Sequence, residues 1–156
     1  MRKTVEVQVP AKVNLQLSVG PKKADGYHEV VTVFQAISLM DTLKITHSDQ
    51  FGISIKGDYI NGVPLDQNNL VYKAVELMSE RFDTDKSVDI EIDKSIPVAG
   101  GMAGGSADAA ATLLGIDALY GLGLSKDELS EVASKLGSDV PFMLHGGTAV
   151  GRGRGD

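Results

Sequence analysis

The chain has 156 residues, a formal charge of −6, 42% hydrophobic and 23% charged residues, and no cysteine. That length and composition fit one soluble domain with enough chain for a real core. The acidic balance argues against sequence-independent nucleic-acid binding, the missing cysteines exclude disulfides and thiolate metal sites, and no apolar run approaches the roughly 20 residues of a membrane helix.

Thr4 to Val9 alternates apolar and polar residues, which predicts a half-buried strand. After Pro10 the alternation resumes from Val13 to Val19 and stops at Gly20-Pro21, a turn signal. Residues 22–26 read as a polar loop. From Tyr27 a β-rich run reaches Thr46, with a break expected near Asp41, and Phe51 to Lys56 reads as another strand. The segment from Gly57 to Asn68 is turn-rich and expected to be mobile. Asn69 to Phe82 places Leu70, Ala74, Leu77, Met78 and Phe82 at helical spacing, and Val88 to Asp93 alternates as a strand. A second helix runs to about Tyr120, with Ala107, Ala110, Ala111, Leu114 and Ala118 on one face, small enough to lie close against a sheet. Ser125 to Glu128 forms a capping box that opens a third helix ending at Gly137. Gly146 to Gly151 can form a last short strand. Strands first, then helices interleaved with strands, predict an α+β fold.

The richest chemistry lies between the Val88 strand and the second helix. There Pro97-Val98-Ala99-Gly100-Gly101-Met102-Ala103-Gly104-Gly105-Ser106 runs straight into an alanine-rich helix. Four glycines in six positions remove side chains, so backbone N–H groups can converge on one anion. The helix start adds its own unpaired N–H groups and positive dipole end. This is a phosphate-binding pattern. It is not a Walker A loop, because Gly105 is followed by Ser106 with no lysine between, and no Gly-x-Gly pair opens it as a dinucleotide fingerprint requires. Any neutralising cation must come from elsewhere in the chain. Asp108 in the opening turns of that helix would repel a phosphate, so it is expected to turn away rather than approach it through magnesium.

Lys12 stands at the mouth of a strand, in Pro10-Ala11-Lys12-Val13-Asn14-Leu15. Asp139 stands in Leu136-Gly137-Ser138-Asp139-Val140-Pro141-Phe142, after a helix terminus and before a proline-constrained turn. Tyr27 and His28 follow a turn in Asp25-Gly26-Tyr27-His28-Glu29. Taken singly, these read as a strand-edge lysine, a turn-forming aspartate, a half-buried aromatic and a surface imidazole.

Together, these four motifs in this order resemble the small-molecule kinases of the galactokinase, homoserine, mevalonate and phosphomevalonate type, the GHMP superfamily. Asn14 and the Asp25-to-His28 segment narrow the likeness to the branch acting on a cytidine diphosphate-linked polyol. The resemblance implies a ribosomal-protein-S5-domain-2-like α+β domain over residues 1–156, with a left-handed βαβ crossover. It also implies that ATP, with Mg2+, phosphorylates the 2-hydroxyl of 4-diphosphocytidyl-2-C-methyl-D-erythritol. By the same likeness Lys12 and Asp139 are the catalytic pair, with Asp139 as base. Gly100, Gly101, Met102, Ala103, Gly104, Gly105 and Ser106 grip the ATP phosphates, Asn69 and Lys94 lie near the adenine, and Tyr27, His28 and Asn14 bind the substrate. Asn69 reads equally well as a helix cap. The magnesium ligands stay open.

The family continues into a ferredoxin-like C-terminal domain that this chain lacks, so weak nucleotide binding, little turnover and self-association through the uncovered surface are expected of it. A membrane or nucleic-acid partner is not expected, and a reducing cytoplasm is the expected setting. Two other readings stay open: a kinase of the same superfamily for another small alcohol such as homoserine or mevalonate, and a non-catalytic nucleotide- or RNA-binding module. The acidic balance disfavours the last.

Overall fold

The computed structural model describes residues 2–24, 26 and 28–154. Its backbone is a long antiparallel ribbon of β1 (Thr4–Lys22) and β2 (His28–His47), paired from Thr4 with Thr46 to Lys22 with His28. The break expected at Pro10 does not occur. β1 is an edge strand, where a missing N–H costs no ladder bond, and the register shift between Pro10 and Lys12 absorbs the proline. Nor does β2 break at Asp41, which pairs with Val9 and turns a fully buried carboxylate inward.

β2 has different partners along its other edge. Its second half pairs with β4 (Val88–Lys94), and β4 pairs in parallel with β3 (Gly52–Gly57). Its first half pairs with β5 (Thr148–Arg154). The sheet is therefore mixed, in the order β1-β2-β4-β3 with β5 attached to β2. The last strand begins two residues later than its sequence suggests, because Gly146 and Gly147, at φ 63° and 69°, form the turn leading into it.

Helix α1 (Leu70–Phe82) joins β3 to β4, which supplies the parallel pair a βαβ crossover needs. The Asn69 side chain accepts the Val71 N–H and caps it. Helix α2 (Gly104–Tyr120) is enclosed by the sheet, α1, α3 (Lys126–Leu136) and α4 (Val140–His145). Ala107, Ala110 and Ala111 are buried as their spacing suggests, while Leu114 and Ala118 are half-buried. The close approach to the sheet falls at Gly115, where an added Cβ would collide with Ile45 Cδ1. A helix apolar on nearly every side does not announce which side meets the sheet. Ser125 and Glu128 complete the capping box at the start of α3. The proline-constrained turn is a short helix, α4, with Pro141 in its first turn and Asp139 as its N-cap.

The core packs Val9, Leu43, Ile45, Ile90 and Ile92 of the sheet under Ala74 and Met78 of α1 and Leu113 and Ile116 of α2. Among the described residues no helix is long and apolar enough to cross a membrane.

Candidate active site

The glycine-rich loop leaves β4 and enters α2 with every second residue in the left-handed region: Ala99 at φ 59°, Gly101 at 71° and Ala103 at 55°. Alternating backbone hand turns successive N–H groups toward one side and makes a concave anion seat. Two of these positions are alanines, each held there at a cost of about 1 kcal/mol, so the surrounding structure imposes the shape. Ala103 is the N-cap of α2 and makes no side-chain cap. The first N–H groups of the helix, from Gly104 to Ser106, therefore lack an acceptor within it. A Cβ on Gly104 would stand 3.0 Å from Lys94 Nζ and 3.2 Å from Ile96 Cγ2, so the helix start rests directly on Lys94. Gly105 is exposed and faces open space, with only Leu70 Cδ1 at 3.9 Å.

Beneath the loop lies a buried ionic triad. Lys94, only 2% exposed, donates to Asp41 Oδ2 at 2.5 Å and to Asp108 Oδ2 at 2.9 Å. Asp41 Oδ1 accepts the N–H groups of Ser95 (2.6 Å) and Ile96 (2.8 Å) at the loop's entry. Asp108 turns its carboxylate to Lys94 and lines the cleft beside the end of the loop. Burial pushes its carboxyl up to about 7, against the pull of Lys94 and with the help of the Asp41 charge. Burial also pulls the Lys94 ammonium down, but the Asp108 charge and the hydrogen bonds to Asp41 and Asp108 outweigh it and leave it raised. Asp41 has no place among the sequence-derived candidates. Its only signal is a lone acid inside an otherwise apolar strand run.

Two clefts flank the loop. The first, about 180 Å³, is lined by Pro64, Asn69, Leu70, Lys94, Val98 and Gly104 among others. Asn69 lies in its wall with both ends of its amide committed, Oδ1 to the Val71 N–H and Nδ2 to the Pro64 carbonyl at 2.6 Å. Its capping role is thus plain, and it also tethers the 57–68 segment.

The second cleft, about 270 Å³, brings together Lys12, Asn14, Thr32, Phe34 and Asp139. Lys12 is 6% exposed, and its Nζ donates to Asn14 Oδ1 at 2.8 Å and stands 3.7 Å from Asp139 Oδ2. The Asn14 amide donates to Thr32 Oγ1 (2.6 Å), and the Thr32 hydroxyl donates to the Gln16 carbonyl (2.8 Å). That chain of donors fixes the Asn14 amide with its oxygen toward Lys12. The Asp139 side chain does not cap its own helix, is 30% exposed, and faces the ammonium. The Lys12 N–H also donates to the Met102 carbonyl at 3.2 Å, which ties this cleft to the glycine loop.

Phe34 floors the cleft. Lys12 Nζ sits 5.4 Å from its ring centroid, and the ring stacks on Phe142 of α4 at 5.0 Å. Gly151 of β5 leaves room for it, since a Cβ there would come within 2.6 Å of Phe34 Cε2. Gly151→Ala is expected to displace the ring and destabilise the fold by about 1–3 kcal/mol, read as a lowered denaturation midpoint together with a changed ring-current shift at Lys12.

His28 lies apart from both clefts, near the hairpin tip and roughly 13 Å along β2 from Thr32 at ~3.3 Å per residue. Its Nδ1 lies 2.8 Å from the Gly20 carbonyl. A carbonyl only accepts, so Nδ1 carries the proton and Nε2 of the neutral ring is an acceptor. Tyr27 and Asp25 lie outside the described residues.

A mixed-sheet domain with this loop, helix and lysine–aspartate cleft has a defined place among known proteins. Residues 69–147, about half of the chain, match the family described as GHMP kinases N terminal domain, and the chain belongs to that family. It is 55% identical over 152 residues to the 4-diphosphocytidyl-2-C-methyl-D-erythritol kinase of Rhodococcus jostii, covering 97% of this chain and 49% of that protein. It is 53% identical over 156 residues to the protein of the same name from Kineococcus radiotolerans, covering 98% and 48%. A crystal structure of 4-(cytidine 5'-diphospho)-2C-methyl-D-erythritol kinase superposes with a TM-score of 0.76 at 40% identity, over 96% of this chain and 52% of that one. Homoserine kinase from Cytophaga hutchinsonii, at 20% identity and a TM-score of 0.69 over 96% and 49%, shares the fold alone. The chain spans about half the length of the curated relatives it matches. The expected α+β architecture of a GHMP kinase N-terminal domain is the one found.

Proposed function

We propose that residues 1–156 serve as the N-terminal, ATP- and substrate-binding domain of a kinase that phosphorylates the 2-hydroxyl of 4-diphosphocytidyl-2-C-methyl-D-erythritol. The observation that carries this reading is the Lys12–Asp139 pair held against the glycine loop through the Lys12 N–H and the Met102 carbonyl. Phosphoryl transfer asks mainly for positioning and for neutralisation of charge on the transferred oxygens. The loop from Gly100 to Ser106 holds the ATP phosphates with backbone N–H groups, while the base of the nucleotide enters the cleft beside Asn69 and Lys94. Asp139 takes the hydroxyl proton as the oxygen bonds to the γ-phosphorus and the bond to the ADP oxygen breaks. Lys12, 3.7 Å from Asp139, offsets charge on the attacking oxygen.

Mg2+ supplies charge neutralisation on the phosphates. Among the described residues no group of three or more His, Cys, Asp or Glu side chains gathers around one point.

Near the hairpin tip the His28 Nε2 acceptor suits the exocyclic amino group of cytosine, and the family resemblance gives Tyr27 the stacking role, a contact worth about 1–3 kcal/mol in nucleic-acid cases. The partner is a small molecule, and a cytoplasmic setting, with neither nucleic acid nor membrane as partner, accords with the cysteine-free, acidic composition.

Amide NMR of the chain with ATP and, separately, with cytidine diphosphate tests the assignment. ATP is expected to shift Gly100 to Ser106, and cytidine diphosphate to shift His28 and Thr32. A response to homoserine or mevalonate with none to cytidine diphosphate overturns the proposed substrate.

A further inference from the structure

The phosphate loop is closed at its base by charge. At its entry, Asp41 Oδ1 holds the N–H groups of Ser95 and Ile96, while Asp41 Oδ2 takes a hydrogen bond from Lys94. Lys94 reaches across to Asp108, one turn into the helix that ends the loop, and Gly104 lies bare against the same ammonium. Three elements, β2, β4 and α2, therefore meet at one nitrogen beneath the anion seat. We propose that Asp41, Lys94 and Asp108 are positioning residues for this loop, and that the triad takes up one proton, on Asp108, when a phosphate-bearing ligand binds. The inference rests on the reading of the loop as a phosphate site.

The charge count motivates it. Two carboxylates share one ammonium, so the triad carries one net negative charge when both are ionised. Asp108 is 3% exposed, and its Oδ1 is buried with no hydrogen-bond partner. An ionised carboxylate with one oxygen unpaired in the interior is costly. The titratable groups facing it are Lys94 from β4 and Asp41 from β2. The start of α1 contributes Leu70 and its N-cap Asn69 to the same cleft wall.

A proton on Asp108 leaves Asp41 ionised, and Lys94 can still donate to both side chains. Protonation therefore preserves the clamp and removes only the net charge. A bound phosphate adds negative charge at the first turn of α2 and favours the protonated form further. Linkage makes the effect reciprocal, so the loop holds phosphate more tightly once Asp108 is neutral. In the free chain the carboxyl titrates near 7, so affinity falls as pH rises through neutrality.

ATP binding to this chain at about pH 6 and pH 8, compared with Asp108→Asn, is the test. The ligand's own titration is common to both proteins and cancels in the comparison. Wild type is expected to lose up to about tenfold more affinity than the variant across that range. Asp108→Asn, a neutral isostere, is expected to match wild type at the acid end and to bind more tightly at the alkaline end. Calorimetry in two buffers of different ionisation enthalpy should show greater proton uptake by wild type. A variant weaker at both pH values, or one with the wild-type pH profile, overturns the proton linkage. Failure of both proteins to bind ATP overturns the phosphate-site reading itself. If Asp108→Asn does not fold, carbon-13 NMR of the wild-type Asp108 carboxyl decides: its titration midpoint rises on adding ATP, and an unmoved midpoint refutes the coupling.

Discussion

Asp139→Asn is expected to lower the rate of phosphoryl transfer by about 10²–10⁴-fold, the usual contribution of a positioned general base and the role proposed for it. The substitution keeps the shape of the side chain and removes its ability to take a proton. It leaves the Lys12 to Asn14 hydrogen bond and the Met102 tether untouched, so ATP affinity stays close to wild type. Stability also stays within about 0.5 kcal/mol, as expected of a partly exposed side chain that caps nothing. ADP release in the kinase that carries this domain, measured beside nucleotide affinity and a denaturation curve, separates these effects. Near-native turnover in the variant removes Asp139 from its proposed role.

Lys94→Met acts on the fold instead. It leaves Asp41 and Asp108 facing one another in the interior without their shared cation. Removing one partner of a buried ion pair costs about 3–5 kcal/mol, a large part of the stability of a domain this size. The loss depends on pH with a definite sign. The folded Asp108 carboxyl titrates at about 7, above its ordinary 3.8, so between those values the folded chain binds a proton that the unfolded chain has released. Stability from this group is therefore greatest at acid pH and declines as pH rises toward 7. Without Lys94 the two carboxylates repel more strongly when ionised, so the variant loses more at about pH 8 than at pH 6. Urea unfolding at both values measures this. A variant as stable as wild type at the alkaline end shows that the triad contributes nothing to the fold.

Much of this architecture was legible in the residues. Asn69 before an apolar 3.6-residue period marks a helix start, and Ser125 with Glu128 marks another, because caps act over three residues and leave a local trace. The glycine loop was legible for the same reason. What sequence hid was tertiary. Pro10 and Asp41 looked like interruptions, yet an edge position tolerates the first and a buried lysine satisfies the second. Gly115 gave no sign that it marks the contact with Ile45, since α2 is apolar on nearly every side. Lys94 and Asp108 carried a resemblance and an electrostatic objection respectively, and only their meeting in space showed that each resolves the other.

The ribbon's two halves are closed by segments from different parts of the chain, and this sets an order of assembly. The anion seat needs only β2 and the contiguous stretch from β4 into α2. The cleft with the reactive pair must join Lys12 to Asp139 and seat Gly151 under Phe34, contacts between opposite ends of the sequence. Closing a longer loop costs more chain entropy, and a chain leaving the ribosome presents α4 and β5 after β2, β4 and α2. A nascent chain thus acquires the glycine loop and its buried triad before it can bring Asp139 to Lys12.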